Sequence, residues 1–405
     1  MHRITSLNRI LAGLVASLAF SCAALAQTTS PDSVGLSSER LERVATVMQE
    51  QIDADVFSGS VTLIARDGQI AYLRAQGLMD IETKRPMQTD AVFRIMSMTK
   101  PIVAFSILML AEDGKLRLTD PIGRFIPELK GLPVAAEGNA PPAAASRDIT
   151  IRDLLTHSSG LMSGGASNAA GFRVESGEAF VDVLPRLRQI PLDFEPGSQW
   201  AYSPELGFDV LARVVEIASG IPFDQFAKEH IFEPLGMNDT YFYPSAGHPN
   251  LTTLYQSIDG KLVEATHIDA VNGKYISGGG GLNSTAEDYF KFAQMLLDGG
   301  KLGDTRLVSR KTVEVMASPL LPASTPGRTA GEAYGAGVRV VTDSAARGTW
   351  LTAGSFGWSG AFNTHFFIDP KERLVAIFMT QSKLLETRQQ LREDFETAVM
   401  QALVD

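Results

Sequence analysis

Two residues three apart, Ser97 and Lys100 in "IMSMTKP" (residues 95–101), form the first group in this chain with the makings of a reaction. A serine hydroxyl is a weak nucleophile until a base removes its proton. Lysine can be that base only while its amine is neutral, and an ordinary lysine has a pKa of about 10.4. Burial disfavours the charged form and brings that value down. The following stretch, "PIVAFSILMLAEDGKL", is apolar on every side from Ile102 to Ala111 and stops at Gly114, the pattern of a helix enclosed in a core. It is too short to cross a bilayer, which takes about 20 apolar residues. Residues i and i+3 share a helix face, so Ser97 and Lys100 are expected to point the same way. Pro101 lies near enough to the helix start to be tolerated.

Two further groups could complete the chemistry. In "EPGSQWAYSPELGFDVL", Tyr202 and Ser203 end a Pro/Gly-rich loop just before a helical run. A tyrosine can relay a proton between nucleophile and leaving group if a nearby cation lowers its pKa, and Lys100 could be that cation. In "SFGWSGAFNTHFF", Gly357 and Gly360 permit close backbone approach ahead of a strand-like run. A strand edge there could offer the Ala361 N–H to a developing oxyanion, with the Ser97 N–H as the second donor. Each group alone has a plainer reading: a chance four-residue pattern, a buried tyrosine merely hydrogen-bonded, a glycine bulge.

The elements that must position these residues come from both ends of the chain. Ser37 or Ser38 can cap a helix through "ERLERVATVMQEQI", with Leu41, Val44, Val47 and Met48 as its apolar stripe. "GSVTLIARDGQIAYLRAQG" follows as two β-rich runs around Asp67-Gly68, a hairpin signal. Near the other terminus, "NTHFFIDPKERLVAIFMTQ" reads as strand, Asp369-Pro370 turn and strand, and a helix closes the chain. Between them lie several helical signals, among them "STAEDYFKFAQMLLDGG", where Ser284 and Glu287 fit a capping box. The expected architecture is α/β (α+β): an antiparallel sheet flanked by N- and C-terminal helices, with a mostly helical insertion. Residues 27–95 and 330–405 would form the α/β half and 96–329 the helical half, with the serine at their interface. "SPLLPASTPGRTAGEAYG" reads as an irregular stretch framing that cleft.

The first residues give an address. "MHRITSLNRILAGLVASLAFSCAALAQTTS" has a basic start, an apolar stretch from Ile10 and a small-x-small end at Ala24-Leu25-Ala26, which reads as a secretory signal peptide covering 1–26. Cleavage after Ala26 would leave an exported protein, periplasmic or secreted, without an integral membrane span. A lipid anchor on Cys22 is the rival reading, and bulky Phe20 makes a poor lipidation signal. Cys22 is the only cysteine of the 405 residues, so the processed chain would have neither disulfides nor thiol chemistry. A net charge of −10 argues against a nucleic-acid partner, because phosphate binding needs a basic footprint.

With Ser97-x-x-Lys100, "YSP" and "WSG" in that order, the chain resembles the serine β-lactamase and penicillin-binding protein superfamily, a β-lactamase/transpeptidase-like fold. It is most similar to the class C β-lactamase-like branch that includes the family VIII carboxylesterases. "SMTK" matches the Ser-x-x-Lys motif, "YSP" stands where that family has Tyr-x-Asn, and "WSG" stands where many members have Lys-Thr-Gly. "LLTHSSGL", "FEPGSQWAYS", "FEPLGMNDTYF" and "GGGGLNSTAEDYFKFAQMLLDGG" look like further family landmarks. The resemblance implies an acyl-enzyme on Ser97, acid and base work shared by Lys100 and Tyr202, and an oxyanion hole from the Ser97 and Ala361 N–H groups. It implies a small-molecule ester or lactam substrate met by Trp358, Ser359 and Gly360, and no metal or organic cofactor.

Two departures bear on substrate. Trp358 stands where β-lactamases carry a lysine suited to the substrate carboxylate, and Pro204 has neither side-chain amide nor backbone N–H. An apolar wall at Trp358 favours an uncharged carboxylic ester with a short or medium acyl chain over a β-lactam. A D-amino-acid peptidase or transesterase on the same scaffold stays open, as does a penicillin- or peptidoglycan-sensing domain that acylates without turnover.

Other readings fit less well. "GWSGA" around Ser359 nears Gly-x-Ser-x-Gly, but it ends in Ala361, runs into a strand where a helix should follow, and has only His365 downstream with no separate acid between. His157 in "THSSG" is expected to bond or cap locally. "SGGGGL" lacks the Lys-Ser/Thr of a phosphate cradle and reads as a tight turn that could line the cleft. His230, His248 and His267 show no metal-ligand spacing.

Overall fold

The computed structural model describes residues 28–136, 140–165, 172, 174–175, 177–242, 248–266, 274–383 and 388–405. The leader expected at 1–26, with Cys22, lies outside the described residues, as does His267.

Helix α1 (Ser38–Asp53) begins at Ser37, whose hydroxyl accepts the Arg40 N–H, and it buries Leu41, Val44 and Met48. Strands β1 (Gly59–Arg66) and β2 (Gln69–Asp80) pair antiparallel. Asp67 and Gly68, both at positive φ, form the two-residue turn between them. β3 (Arg85–Pro86) extends that edge. Three helices of the long middle matter for the site: α2 (Thr99–Glu112), α3 (Leu206–Ser219) and α4 (Ala286–Leu297). The chain then returns to the sheet through β4 (Glu332–Tyr334), β5 (Arg339–Val341), β6 (Phe356–Ser359), β7 (His365–Asp369) and β8 (Leu374–Thr380), and closes with α5 (Arg388–Met400).

These strands make one antiparallel sheet in the order β4-β5-β6-β7-β8-β1-β2-β3. The first and last long strands are therefore neighbours at its centre, paired from Ser60 with Thr380 to Arg66 with Leu374. Both are buried along their whole length; β8 reads as a nearly continuous apolar run, whereas β1 buries Ser60, Thr62 and Arg66 among its apolar residues. α1 and α5 cover one face through Leu41, Val44, Met48, Phe395 and Val399 against Phe378 and Ala376. The other face meets the large core built around α2 and α4, where Phe105 and Phe292 pack edge to face.

One cap falls a residue later than expected. Thr285, not Ser284, caps α4 by accepting the Asp288 N–H. Ser284 is the last residue of a short strand, and its hydroxyl is engaged with Thr240 instead.

Candidate active site

Ser97 sits in a single 3-10 turn, Met96–Met98, that leads directly into α2. Every α2 residue from Thr99 to Leu108 is buried. Burying each large apolar side chain is worth about 1.5–3 kcal/mol, so the helix is a fixed mount. The Tyr289 hydroxyl donates to the Met98 carbonyl at 2.9 Å and the Leu282 N–H to Thr99 Oγ1 at 3.1 Å, pinning the turn from α4 and its approach strand. Met96 takes a left-handed φ of 47°, an uncommon choice for a side-chain-bearing residue that turns the chain sharply before Ser97.

Lys100 is fully buried, and its Nζ lies 3.0 Å from Ser97 Oγ, 2.6 Å from the Pro204 carbonyl and 2.7 Å from the Gly279 carbonyl. Carbonyls only accept. A neutral amine would use both N–H groups on Pro204 and Gly279 and turn its lone pair to Ser97. An ammonium would give its third N–H to Ser97 Oγ. The pocket therefore suits both protonation states without moving a heavy atom. Ser97 Oγ is also 2.7 Å from the Tyr202 hydroxyl, so its proton has a partner on either side.

Tyr202 is held by an aromatic cage that sequence reasoning did not foresee. His157 is buried with its ring 4.8 Å from Tyr202, 5.3 Å from Phe208 and stacked 5.6 Å from Trp358. Its Nδ1 accepts the Ser203 N–H, which fixes the residue after Tyr202. Burial, and then the nearby Lys100 charge, hold His157 well below the ordinary histidine range, so the ring is neutral. His157 bonds locally, as its sequence suggested, but its packing places it at the site. Trp358 is part of this cage.

The glycine-rich turn contributes the other Lys100 acceptor. Asp209 on α3 accepts the Gly279 N–H at 2.9 Å and the Ser277 hydroxyl at 3.0 Å on one oxygen, and the Tyr275 hydroxyl at 2.8 Å on the other. Gly279 lies so close to α3 that a Cβ there would come within 2.7 Å of Glu205 Cα. Burial pushes the Asp209 carboxyl up to about 6, and these three donors oppose the rise. The signal was present in "LGFDVLARVV": an acid amid apolar residues of a buried helix must have partners.

At the end of β6, a Cβ on Gly360 would lie 2.3 Å from the Ile95 carbonyl and 2.2 Å from Thr364 Oγ1. Glycine alone lets this strand end press against the turn bearing Ser97. A cleft of about 670 Å³ opens there, with Ser97, Tyr202, Trp358, Ser359, Gly360 and Ala361 among its lining residues. The expected nucleophile thus touches both the lysine and the tyrosine, and the three residues expected to meet substrate, Trp358, Ser359 and Gly360, border the same cavity as Ala361. The lining is not wholly apolar: Arg339, Arg388 and Arg392 join it. Burial, then the charges of Arg339 and Arg388, bring Arg392 down to about 10.

Ser359 has a neighbour that changes its character. Its Oγ is 2.8 Å from His365 Nδ1, across a β6–β7 register pair. His365 Nε2 lies 3.1 Å from Glu396 Oε1, close but out of line for a straight hydrogen bond. The acid missing between Ser359 and His365 in sequence is supplied from α5, beyond both.

Comparison with known proteins agrees with this architecture. Fold and site define a class, the β-lactamase/transpeptidase-like serine hydrolases. The family described as Beta-lactamase matches residues 44–399, and the chain belongs to it. Esterase EstB of Burkholderia gladioli is 32% identical over 389 residues, which cover 88% of this chain and 94% of that protein. Lovastatin esterase of Penicillium rubens is 30% identical over 376 residues, covering 84% and 92%. The solved structure of EstCE1, described as a hydrolase with promiscuous acyltransferase activity, matches with a TM-score of 0.77 at 28% identity over 89% of this chain and 99% of that one. Among the described residues, no helix is long and apolar enough to cross a membrane.

Proposed function

We propose that this serine hydrolase is a carboxylesterase for esters with short or medium acyl chains, acting through an acyl-enzyme on Ser97. The observation that carries this reading is the contact set of Lys100: two carbonyls and the Ser97 hydroxyl around one buried amine. In the acylation step the Ser97 proton passes to the amine as Oγ bonds to the ester carbonyl carbon. The carbonyl oxygen becomes an oxyanion facing the Ser97 and Ala361 N–H groups. Tyr202, 2.7 Å from Oγ, hands a proton to the departing alkoxide and is reprotonated from Lys100. The C–O bond to the alcohol breaks, and water then repeats the sequence in reverse, releasing the acid and restoring the Ser97 hydroxyl.

The names of the similar esterases support an ester substrate. So do Trp358, which carries no charge, and Pro204, whose carbonyl is already taken by Lys100. Export belongs to the same reading, and N-terminal sequencing of the processed protein should begin after Ala26. The test is turnover of p-nitrophenyl butyrate against nitrocefin, with intact-mass detection of the adduct. Many turnovers of the ester and a Ser97 adduct absent from Ser97→Ala are expected. Nitrocefin hydrolysed at least as efficiently would overturn the ester preference, a single burst without turnover would mean a sensor, and near wild-type activity in Ser97→Ala would rule out the nucleophile.

A further inference from the structure

The geometry points to Ser359 as a hydrogen-bond acceptor subsite that selects esters bearing a donor group, hydroxy esters above all. This rests on the ester reading and names the substrate class within it.

His365 is fully buried, with Phe378 at 5.5 Å and Phe395 at 6.2 Å between ring centroids. The charged groups facing it are Glu396 and Arg392 from α5 and Arg339 from β5. Burial lowers His365 more than Glu396 raises it, so the imidazole is neutral and carries one proton. Burial acts to raise Glu396, but the His365 contact and the charges of Arg339 and Arg347 outweigh it and keep the group a carboxylate.

The single imidazole proton then has only one good position. A carboxylate has no proton to give, so Nε2, 3.1 Å from Glu396, must carry it. Nδ1 is left bare and takes the Ser359 O–H across 2.8 Å. A hydroxyl has one proton, and this one points inward. What Ser359 presents to the cleft is its remaining lone-pair capacity. A substrate group meeting it must bring its own hydrogen: a hydroxyl fits, whereas an ether, carbonyl or carboxylate oxygen meets lone pairs. An unconstrained serine would rotate its proton outward and accept either kind of group. The ordering of hydroxyl, imidazole and carboxylate is also that of an activated nucleophile, which adduct mapping distinguishes.

Two matched ester sets test this, one for each side of the substrate. On the acyl side are the p-nitrophenyl esters of 3-hydroxybutyrate, 3-methylbutyrate and 3-methoxybutyrate; on the alcohol side are 2-hydroxyethyl, propyl and 2-methoxyethyl butyrate. In at least one set kcat/KM should favour the hydroxyl over the apolar member by on the order of tenfold, the worth of one good hydrogen bond, with no gain for the methoxy member. Ser359→Ala should bring the hydroxyl-to-apolar ratio to about one, a readout that general structural damage leaves alone. His365→Leu, which frees the Ser359 proton, should narrow the gap between methoxy and hydroxyl members. Flat ratios in both sets, a hydroxyl preference that survives Ser359→Ala, or an acyl adduct on Ser359 would each overturn the assignment. Turnover with flat ratios removes the subsite alone, whereas no turnover of any ester removes the ester reading and the subsite with it.

Discussion

Asp209 never reaches the substrate, yet its removal should slow the reaction severely. Its carboxylate holds Gly279 and Ser277, and the Gly279 carbonyl is one of the two that fix the Lys100 amine. Asp209→Ala takes the acceptor from three donors, each worth about 1–3 kcal/mol when left unsatisfied in a buried place, and frees the turn to move. A displacement of about 1 Å at a catalytic group costs on the order of a hundredfold, and that loss is expected in kcat rather than KM. Asp209→Asn keeps an oxygen for Gly279 and Ser277 and should recover most of the rate. Stability, unlike activity, should follow the titration of this carboxyl. Burial raises this carboxyl from 3.8 to about 6, so the folded state holds a proton in that interval that the unfolded chain releases. Its contribution to stability is therefore largest below pH 3.8 and is withdrawn as pH climbs to about 6. Activity should not follow this titration, because a protonated carboxyl, like the Asn amide, still offers an oxygen to Gly279 and Ser277. The assay is kcat/KM for p-nitrophenyl butyrate from pH 5 to 8 beside thermal unfolding at each pH. An Asp209→Ala protein with lowered Tm but unchanged kcat/KM would refute the positioning role, as would an Asp209→Asn protein as slow as Asp209→Ala.

Lys100→Ala should lower kcat nearly as far as Ser97→Ala, because no other described amine touches Ser97 Oγ; steady-state kinetics and single-turnover acylation check this. Tyr202→Phe removes the group 2.7 Å from Oγ and should cost on the order of a hundredfold in kcat, while an unchanged rate would make the tyrosine structural. Gly360→Ala places a methyl 2.3 Å from the Ile95 carbonyl, so the strand end must retreat from the serine turn. Loss of about 1–3 kcal/mol of stability in chemical denaturation, with a drop in kcat of at least about tenfold, is the expected result.

Much of this was legible in the chain because local chemistry and global position agreed. The apolar run after Lys100 could only be a core helix, and a hydroxyl and amine at its root had to share a face. The Asp67-Gly68 turn specified its hairpin for the same reason: two residues and one backbone geometry decide it. The His157 cage, the Asp209 clamp and the His365–Glu396 pair were not legible, since each joins residues far apart in sequence whose contacts exist only after packing. The apolar run around Asp209 shows that it needs partners but not which ones, and Glu396 sits in a helix where an acid reads as solvent-facing until its neighbours are known. The cap of α4 slipped by one residue because Ser284 and Thr285 are equally good acceptors in isolation. Only strand pairing of the first leaves the role to the second.

The pairing of β1 with β8 has a temporal meaning. A growing polypeptide can make its first hairpin early, but that hairpin lacks its central neighbour until residues 374–380 are available, roughly 300 positions later. Ser97, Lys100 and Tyr202 are synthesised long before the β6 end that closes their cleft. All three therefore wait in an unfinished pocket until the β6 end is made. Such long-range closure makes for slow folding, because loop-closure entropy must be met before the distant contacts form.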